Sequence, residues 1–97
     1  MMNPPIHWLY MLLCDNHSYY TGYTVDLLRR YREHQNGSPK CKYTRSFKPV
    51  CMVQCWPLQD KSLALHLERK IKRLSRSAKQ RLIAEPEALA ELIEEKC

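Results

Sequence analysis

The feature that most constrains this chain is a pair of short tyrosine-bearing segments near its start. Trp8-Leu9-Tyr10 and Tyr20-Thr21-Gly22 stand nine residues apart, each inside an apolar, β-prone run (HWLYMLLC from His7, YYTGY from Tyr19). Asp15-Asn16-His17-Ser18 between them is turn chemistry, because Asn and Asp side chains bond their own backbone and tolerate left-handed conformations. The two runs therefore read as a β-hairpin with a buried first strand. Side chains alternate between the faces of a strand, so Tyr10 and Tyr20 share a face only if pairing joins residues of equal parity. A three- or five-residue loop centred on Asn16 does this. A two-residue Asn16-His17 loop sets the tyrosines on opposite faces unless a bulge intervenes. Gly22 signals either a bulge or a close approach to the backbone.

The rest of the chain is mostly helical in pattern. Thr24 is placed to N-cap a helix with Asp26 in its first turn, running to about Gln35 and stopped by Asn36-Gly37. Leu27, Arg30, Tyr31 and His34 fall on one face of it. An arginine and a histidine on an inward face need a reason to be there. Lys40–Lys48 (KCKYTRSFK) reads as a basic loop with Tyr43 and Phe47 interleaved, and Pro49–Trp56 as a third strand ended by Pro57. Asp60 caps a second helix striped by Leu63, Leu67, Ile71 and Leu74. Glu68 borders that stripe and is the only acid between Lys61 and Ala84, a span with eight Lys and Arg. Ser77-Ala78-Lys79-Gln80 has the form of a capping box for a third helix. Pro86 opens a last, acidic helix reaching Lys96, with Leu89, Leu92 and Ile93 as its apolar stripe. The order ββαβα followed by short helices predicts an α+β fold with a small three-stranded antiparallel sheet flanked by helices.

Ninety-seven residues fit one domain with a modest core, burying about 60–70% of the unfolded surface. We place the domain at residues 1–84 and an acidic C-terminal helix, packed on it, at 85–97. Residues 1–84 hold 15 Lys and Arg against 5 Asp and Glu, a net +10; residues 85–97 hold one Lys against five Glu, a net −4. A +10 domain attracts polyanions, and nucleic acid is the expected partner. No run of about 18 apolar residues is present to span a membrane. Met1-Met2-Asn3-Pro4-Pro5 lacks the form of an export signal, and five cysteines show neither disulfide-framework nor paired zinc spacing. Reduced thiols in a cytoplasmic protein are the expectation.

Tyr10, Tyr20-Thr21-Gly22, Arg30, His34 and Glu68, in this order and spacing, resemble the GIY-YIG nuclease superfamily. Lys42-Tyr43-Thr44-Arg45 and the LERKIKRL run from Leu67 are similar to its small standalone, UPF0213-type members, related to the N-terminal domain of the excision-repair nuclease subunit. The resemblance covers residues 6–84 and implies a ββαβα core and metal-dependent hydrolysis of phosphodiesters, with DNA favoured as substrate and RNA the alternative. It implies that Glu68 holds one Mg²⁺ or Mn²⁺, for which one or two carboxylates suffice when water and substrate oxygens complete the shell. Arg30 would bind the scissile phosphate, Tyr20 with Tyr10 would orient or deprotonate the attacking water, and His34 would support the proton relay. A free tyrosine has a pKa of about 10, so a base role requires a shift of ~2–3 units, roughly 3–4 kcal/mol, from a metal ion and Arg30. Lys42, Tyr43 and Arg45 resemble a loop that tracks a backbone and stacks bases, with Lys70, Lys72 and Arg73 as further nucleic-acid contacts. Three departures stand out. Trp8 and Leu9 replace Gly and Ile, Tyr23 stands where Lys is frequent, and Gln80 is the nearest counterpart of a common Asn.

Each residue also has a structural reading. The tyrosines suit a core, Arg30 or Arg29 suits a pair with Glu33, His34 suits the helix dipole, and Glu68 suits a pair with Lys61 or Lys72. At the level of the chain, the competing reading is a non-catalytic nucleic-acid-binding module or adaptor with a degenerate site. In either case a protein partner supplying specificity fits so small a domain, and the acidic helix offers a surface for one.

Overall fold

The computed structural model describes residues 5–94. The ends of the chain, including the export-signal reading at Met1–Pro4, the last turn of the acidic helix at Glu95 and Lys96, and Cys97, lie outside the described residues. The elements run in the order β1 (His7–Cys14), β2 (Tyr19–Thr24), α1 (Leu27–Gln35), α2 (Lys42–Ser46), β3 (Pro49–Leu58), α3 (Lys61–Lys72), α4 (Arg76–Ala84), a 3₁₀ turn (Pro86–Ala88) and α5 (Leu89–Glu94). The three strands make an antiparallel sheet in the order β2-β1-β3. Among the described residues no helix is long and apolar enough to cross a membrane.

The central position of β1 explains its unbroken apolar sequence, because both of its faces are covered. Leu9 and Met11 point into a core with Trp56, Leu67, Ile71, Leu82, Leu89 and Leu92. Tyr10, Leu12 and Cys14 are buried on the opposite face, where His34 of α1 meets Tyr10. Burying each large apolar side chain contributes about 1.5–3 kcal/mol, so this layer dominates the stability. Trp56 also ties the C-terminal turn down, its indole N–H donating to the Pro86 carbonyl at 2.9 Å.

The hairpin register follows the parity argument. Tyr10 pairs with Gly22 and Leu13 with Tyr19. The Cys14 amide bonds the Ser18 carbonyl at 2.9 Å, leaving Asp15-Asn16-His17 as a three-residue loop centred on Asn16. His17 takes the left-handed conformation that such loops need, with φ 67°. Asn16 Oδ1 accepts from the Ser18 amide and hydroxyl at 3.2 and 2.6 Å. The β1–β3 register shifts twice, between Met11 and Leu12 and between Leu13 and Cys14. These bulges explain the imperfect alternation of β3.

Local details depart from the sequence reading in five places. Asp26, not Thr24, N-caps α1, accepting from the Arg29 amide at 3.1 Å while Thr24 Oγ1 supports the Asp26 amide. Ser75, not Ser77, caps α4, because only its hydroxyl stands where it accepts from the Ala78 amide. Residues 42–46 are helix rather than loop. Pro57 does not end β3, which continues to Leu58 because its outer edge is unpaired and needs no amide from proline. Ile93, expected on the buried stripe of the last helix, is 45% exposed, whereas Leu89 and Leu92 are buried.

Candidate active site

Gly22 and Tyr10 set the floor of the site. They pair across β1 and β2, and the phenol ring lies over the glycine so closely that a Cβ there would stand 2.5 Å from Tyr10 Cζ. Of the two readings of Gly22, the structure selects close approach. Tyr20, two residues earlier on β2, shares the face, its ring centroid 6.3 Å from that of Tyr10. His34 comes down from α1 and touches both edge-on, 5.6 Å from Tyr10 and 5.0 Å from Tyr20.

A buried chain of hydrogen bonds fixes protonation. The Thr44 hydroxyl donates to the Cys41 carbonyl at 3.3 Å, so its oxygen must accept from His34 Nδ1–H at 2.7 Å. That leaves the lone pair of His34 Nε2 to accept the Tyr10 hydroxyl proton at 2.6 Å. Electrostatics agree that the imidazole is neutral. Burial, helped by the Arg30 cation and opposed by Glu33, pulls the His34 pKa down to about 4. Burial and the neighbouring Tyr20 phenol push the Tyr10 pKa up, against a smaller pull from Arg30. Tyr20 is also pushed up by burial and by Glu68, with Arg30 acting the other way. All three groups are therefore neutral near pH 7.

Arg30 projects from the same face of α1 as His34. Its Nη1 donates to Glu33 at 3.2 Å, and the pair is partly exposed. Burial disfavours the cation, but the bonds to Glu33 and the adjoining Tyr10 outweigh it. Its Nε is buried without a partner. Glu33 also receives Arg29 at 3.6 Å, so both pairings considered from the sequence occur.

Glu68 approaches from α3. Its side chain is 17% exposed, its charge is felt by Tyr20, and Lys72 Nζ stands 3.3 Å from Oε2. Of its two structural partners, Lys72 is the one used. Among the described residues no group of three or more His, Cys, Asp or Glu is disposed to hold a metal. Cys14, Cys41, Cys51 and Cys55 are free thiols.

The structure thus brings Tyr10, Tyr20, Arg30 and His34 into one cluster, with Glu68 at its margin. Lys42, Tyr43 and Arg45 lie exposed on α2 beside it, and Arg73 is exposed at the end of α3. Lys70, expected as a nucleic-acid contact, donates its ammonium to the Leu92 carbonyl at 2.9 Å and so ties α5 to α3. Lys72 is engaged with Glu68. Gln80 reaches the Tyr19 hydroxyl, at 3.5 Å, and Tyr19 points to the other sheet face from Tyr20. Tyr23 bonds His7 Nδ1 at 2.7 Å through its hydroxyl. Thr44 and Cys41 were not legible as site residues. Their only sequence signal is a small polar pair in a basic segment, and their partner lies ten residues away from Thr44.

Residues 6–81 match the model of the GIY-YIG catalytic domain. A UPF0213 protein of Listeria innocua is 40% identical over 81 residues, covering 84% of this chain and 89% of that protein. The UPF0213 protein YhbQ of Escherichia coli is 38% identical over 86 residues, 89% of this chain and 85% of its own length. The solution NMR structure of a UPF0213 protein from Bacillus halodurans superposes with a TM-score of 0.54 at 34% identity, covering 94% of this chain and 99% of that one.

Proposed function

The chain belongs to the family of GIY-YIG catalytic domains, and on that premise we propose that it is a metal-dependent nuclease hydrolysing phosphodiester bonds in nucleic acid, DNA in preference to RNA. The observation that carries the reading is the Tyr10–His34–Thr44 chain. A core tyrosine needs only one partner for its hydroxyl. This one meets an imidazole whose other nitrogen is locked as a donor, the arrangement that makes Nε2 a hydrogen-bond acceptor and fixes the direction of the phenol.

Each residue then has a task. Arg30 binds the scissile phosphate through the partly exposed end of its guanidinium. Glu33 holds the guanidinium in place. Tyr20 orients the attacking water. Tyr10, its hydroxyl held by His34, supports Tyr20 in orienting that water.

Glu68 suits a hard cation. It offers a single half-buried carboxylate beside Tyr20, and Mg²⁺ or Mn²⁺ takes its remaining ligands from water and phosphate. Such an ion, when bound, supplies Lewis acidity and lowers the pKa of a nearby phenol or water. This matters because Tyr20 by itself is held neutral.

The test is cleavage of single-stranded, duplex, flap and forked DNA and of RNA, with Mg²⁺, Mn²⁺ or EDTA, beside the Glu68→Ala and Tyr20→Phe proteins. Metal-dependent cutting lost in both variants is the expected result. Tight binding with no cutting of any substrate would replace the nuclease by the binding module.

A further inference from the structure

A run of aromatic rings leads from the site to the surface. Tyr43 stacks on Tyr20 with centroids 5.8 Å apart and planes inclined by 26°. Phe47 adjoins Tyr43 at 5.2 Å. The two outer rings are not core filling, since Tyr43 is 39% exposed and Phe47 37%. Tyr43 is nevertheless held firmly, its hydroxyl bonded to Ser18 Oγ and near Asn16 Nδ2 of the hairpin loop. Lys42, Arg45 and Lys48, all exposed, adjoin the pair in sequence, and no acid occurs between Glu33 and Asp60.

Cations alone suffice to hold phosphates. Exposed, pre-positioned rings among cations suit something else as well, the π-face of a nucleobase. A paired duplex keeps its bases stacked on one another and presents no such face to a side chain. We infer that Tyr43 and Phe47 form a stacking subsite for an unpaired nucleobase next to the phosphate at Arg30, while Lys42 and Arg45 hold the adjoining backbone. The inference rests on the nuclease reading for the place of that phosphate and deepens it. The substrate is nucleic acid with at least one unpaired base beside the cut.

Binding in EDTA separates this subsite from catalysis. The full chain is titrated against a short DNA strand carrying 2-aminopurine, alone or annealed to its complement. Stacking on a ring quenches the single strand and leaves the duplex unchanged. Phe47→Leu keeps apolar bulk without a π-face and weakens single-strand binding roughly five- to a hundredfold, with duplex binding held within about twofold. Phe47→Trp restores it. Equal affinity of the native chain for both forms, or no quenching on binding, overturns the inference, as does an equal loss on both substrates in a folded Phe47→Leu protein. If that variant fails to fold, quenching with the native chain decides. Failure of the nuclease reading shows itself separately, as stacking retained with no cleavage when Mg²⁺ is added.

Discussion

The Tyr10 hydroxyl donates to His34 Nε2 at 2.6 Å, and both partners are buried. The phenol is thereby kept protonated and the imidazole kept neutral, each by the other and by exclusion of water. The proton between them is the most defined chemical feature of the site. Its surroundings set the outcomes expected of substitution.

Thr44→Val preserves shape but leaves His34 Nδ1–H buried without an acceptor, a cost of about 1–3 kcal/mol. The imidazole is then free to move its proton to Nε2, which makes it a donor toward Tyr10. Cleavage is expected to fall about tenfold to a hundredfold, with KM little changed. Thr44→Ser should recover most of it. Steady-state kinetics of the three proteins check this, and a Thr44→Val enzyme with native kcat would show that Thr44 does not position His34.

His34 carries a pH signature. Its pKa in the fold is about 4, against about 6.5 in an unfolded chain, so the unfolded state binds more protons between these values. Stability from this group is complete above about pH 6.5 and is lost as pH falls toward 4. Its upper bound is about 3 kcal/mol. Thermal unfolding of the native chain should therefore weaken more than that of His34→Gln between about pH 6.5 and 4.5. Parallel slopes for the two proteins would contradict the buried neutral imidazole.

Lys72 competes with a cation for Glu68, its ammonium 3.3 Å from the carboxylate and half exposed. An exposed pair of this kind is worth about 0.2–1 kcal/mol. Lys72→Gln should lower the Mg²⁺ concentration for half-maximal cleavage by about 1.5- to fivefold. Glu68→Gln should abolish metal-dependent cleavage while the far-ultraviolet circular dichroism stays native. A metal titration that Lys72→Gln leaves unmoved would place the ion elsewhere.

Gly22→Ala drives a methyl into the Tyr10 ring, which cannot retreat because both sides of β1 are packed. The overpacking costs about 1–3 kcal/mol, a drop of several degrees in Tm for a domain of this size. Activity should fall further than stability explains, since the displaced ring is the partner of His34. Differential scanning calorimetry alongside cleavage at a temperature well below Tm separates the two effects.

Much of this was legible in the residues because it depends on local rules. Tyr10, Tyr20 and Gly22 could be aligned from the parity of strand side chains and a loop centred on Asn16, and the observed register follows that alignment. Arg30 and His34 could be put on one helix face by periodicity alone. The caps were harder. Thr24, Asp26, Ser75 and Ser77 are all competent cap residues, and the selection depends on where the backbone turns. α2 is five residues long and lacks a side-chain cap, too short to signal itself against the cost of helix nucleation. It exists because Thr44 turns inward to both Cys41 and His34.

The three strands, the longer helices between and after them, the shared face of the two tyrosines and the basic character of the domain follow from the residues alone, because periodicity, turn chemistry and charge act over a few residues or add without regard to position. Which of these groups touch depends on how the distant elements close on one another. Lys72 meets Glu68, Lys70 is given to α5, Thr44 closes on His34, and Tyr43 stacks on Tyr20. The same closure decides the protonation states, because desolvation of His34 and Tyr10 depends on strands and helices distant in sequence closing over them.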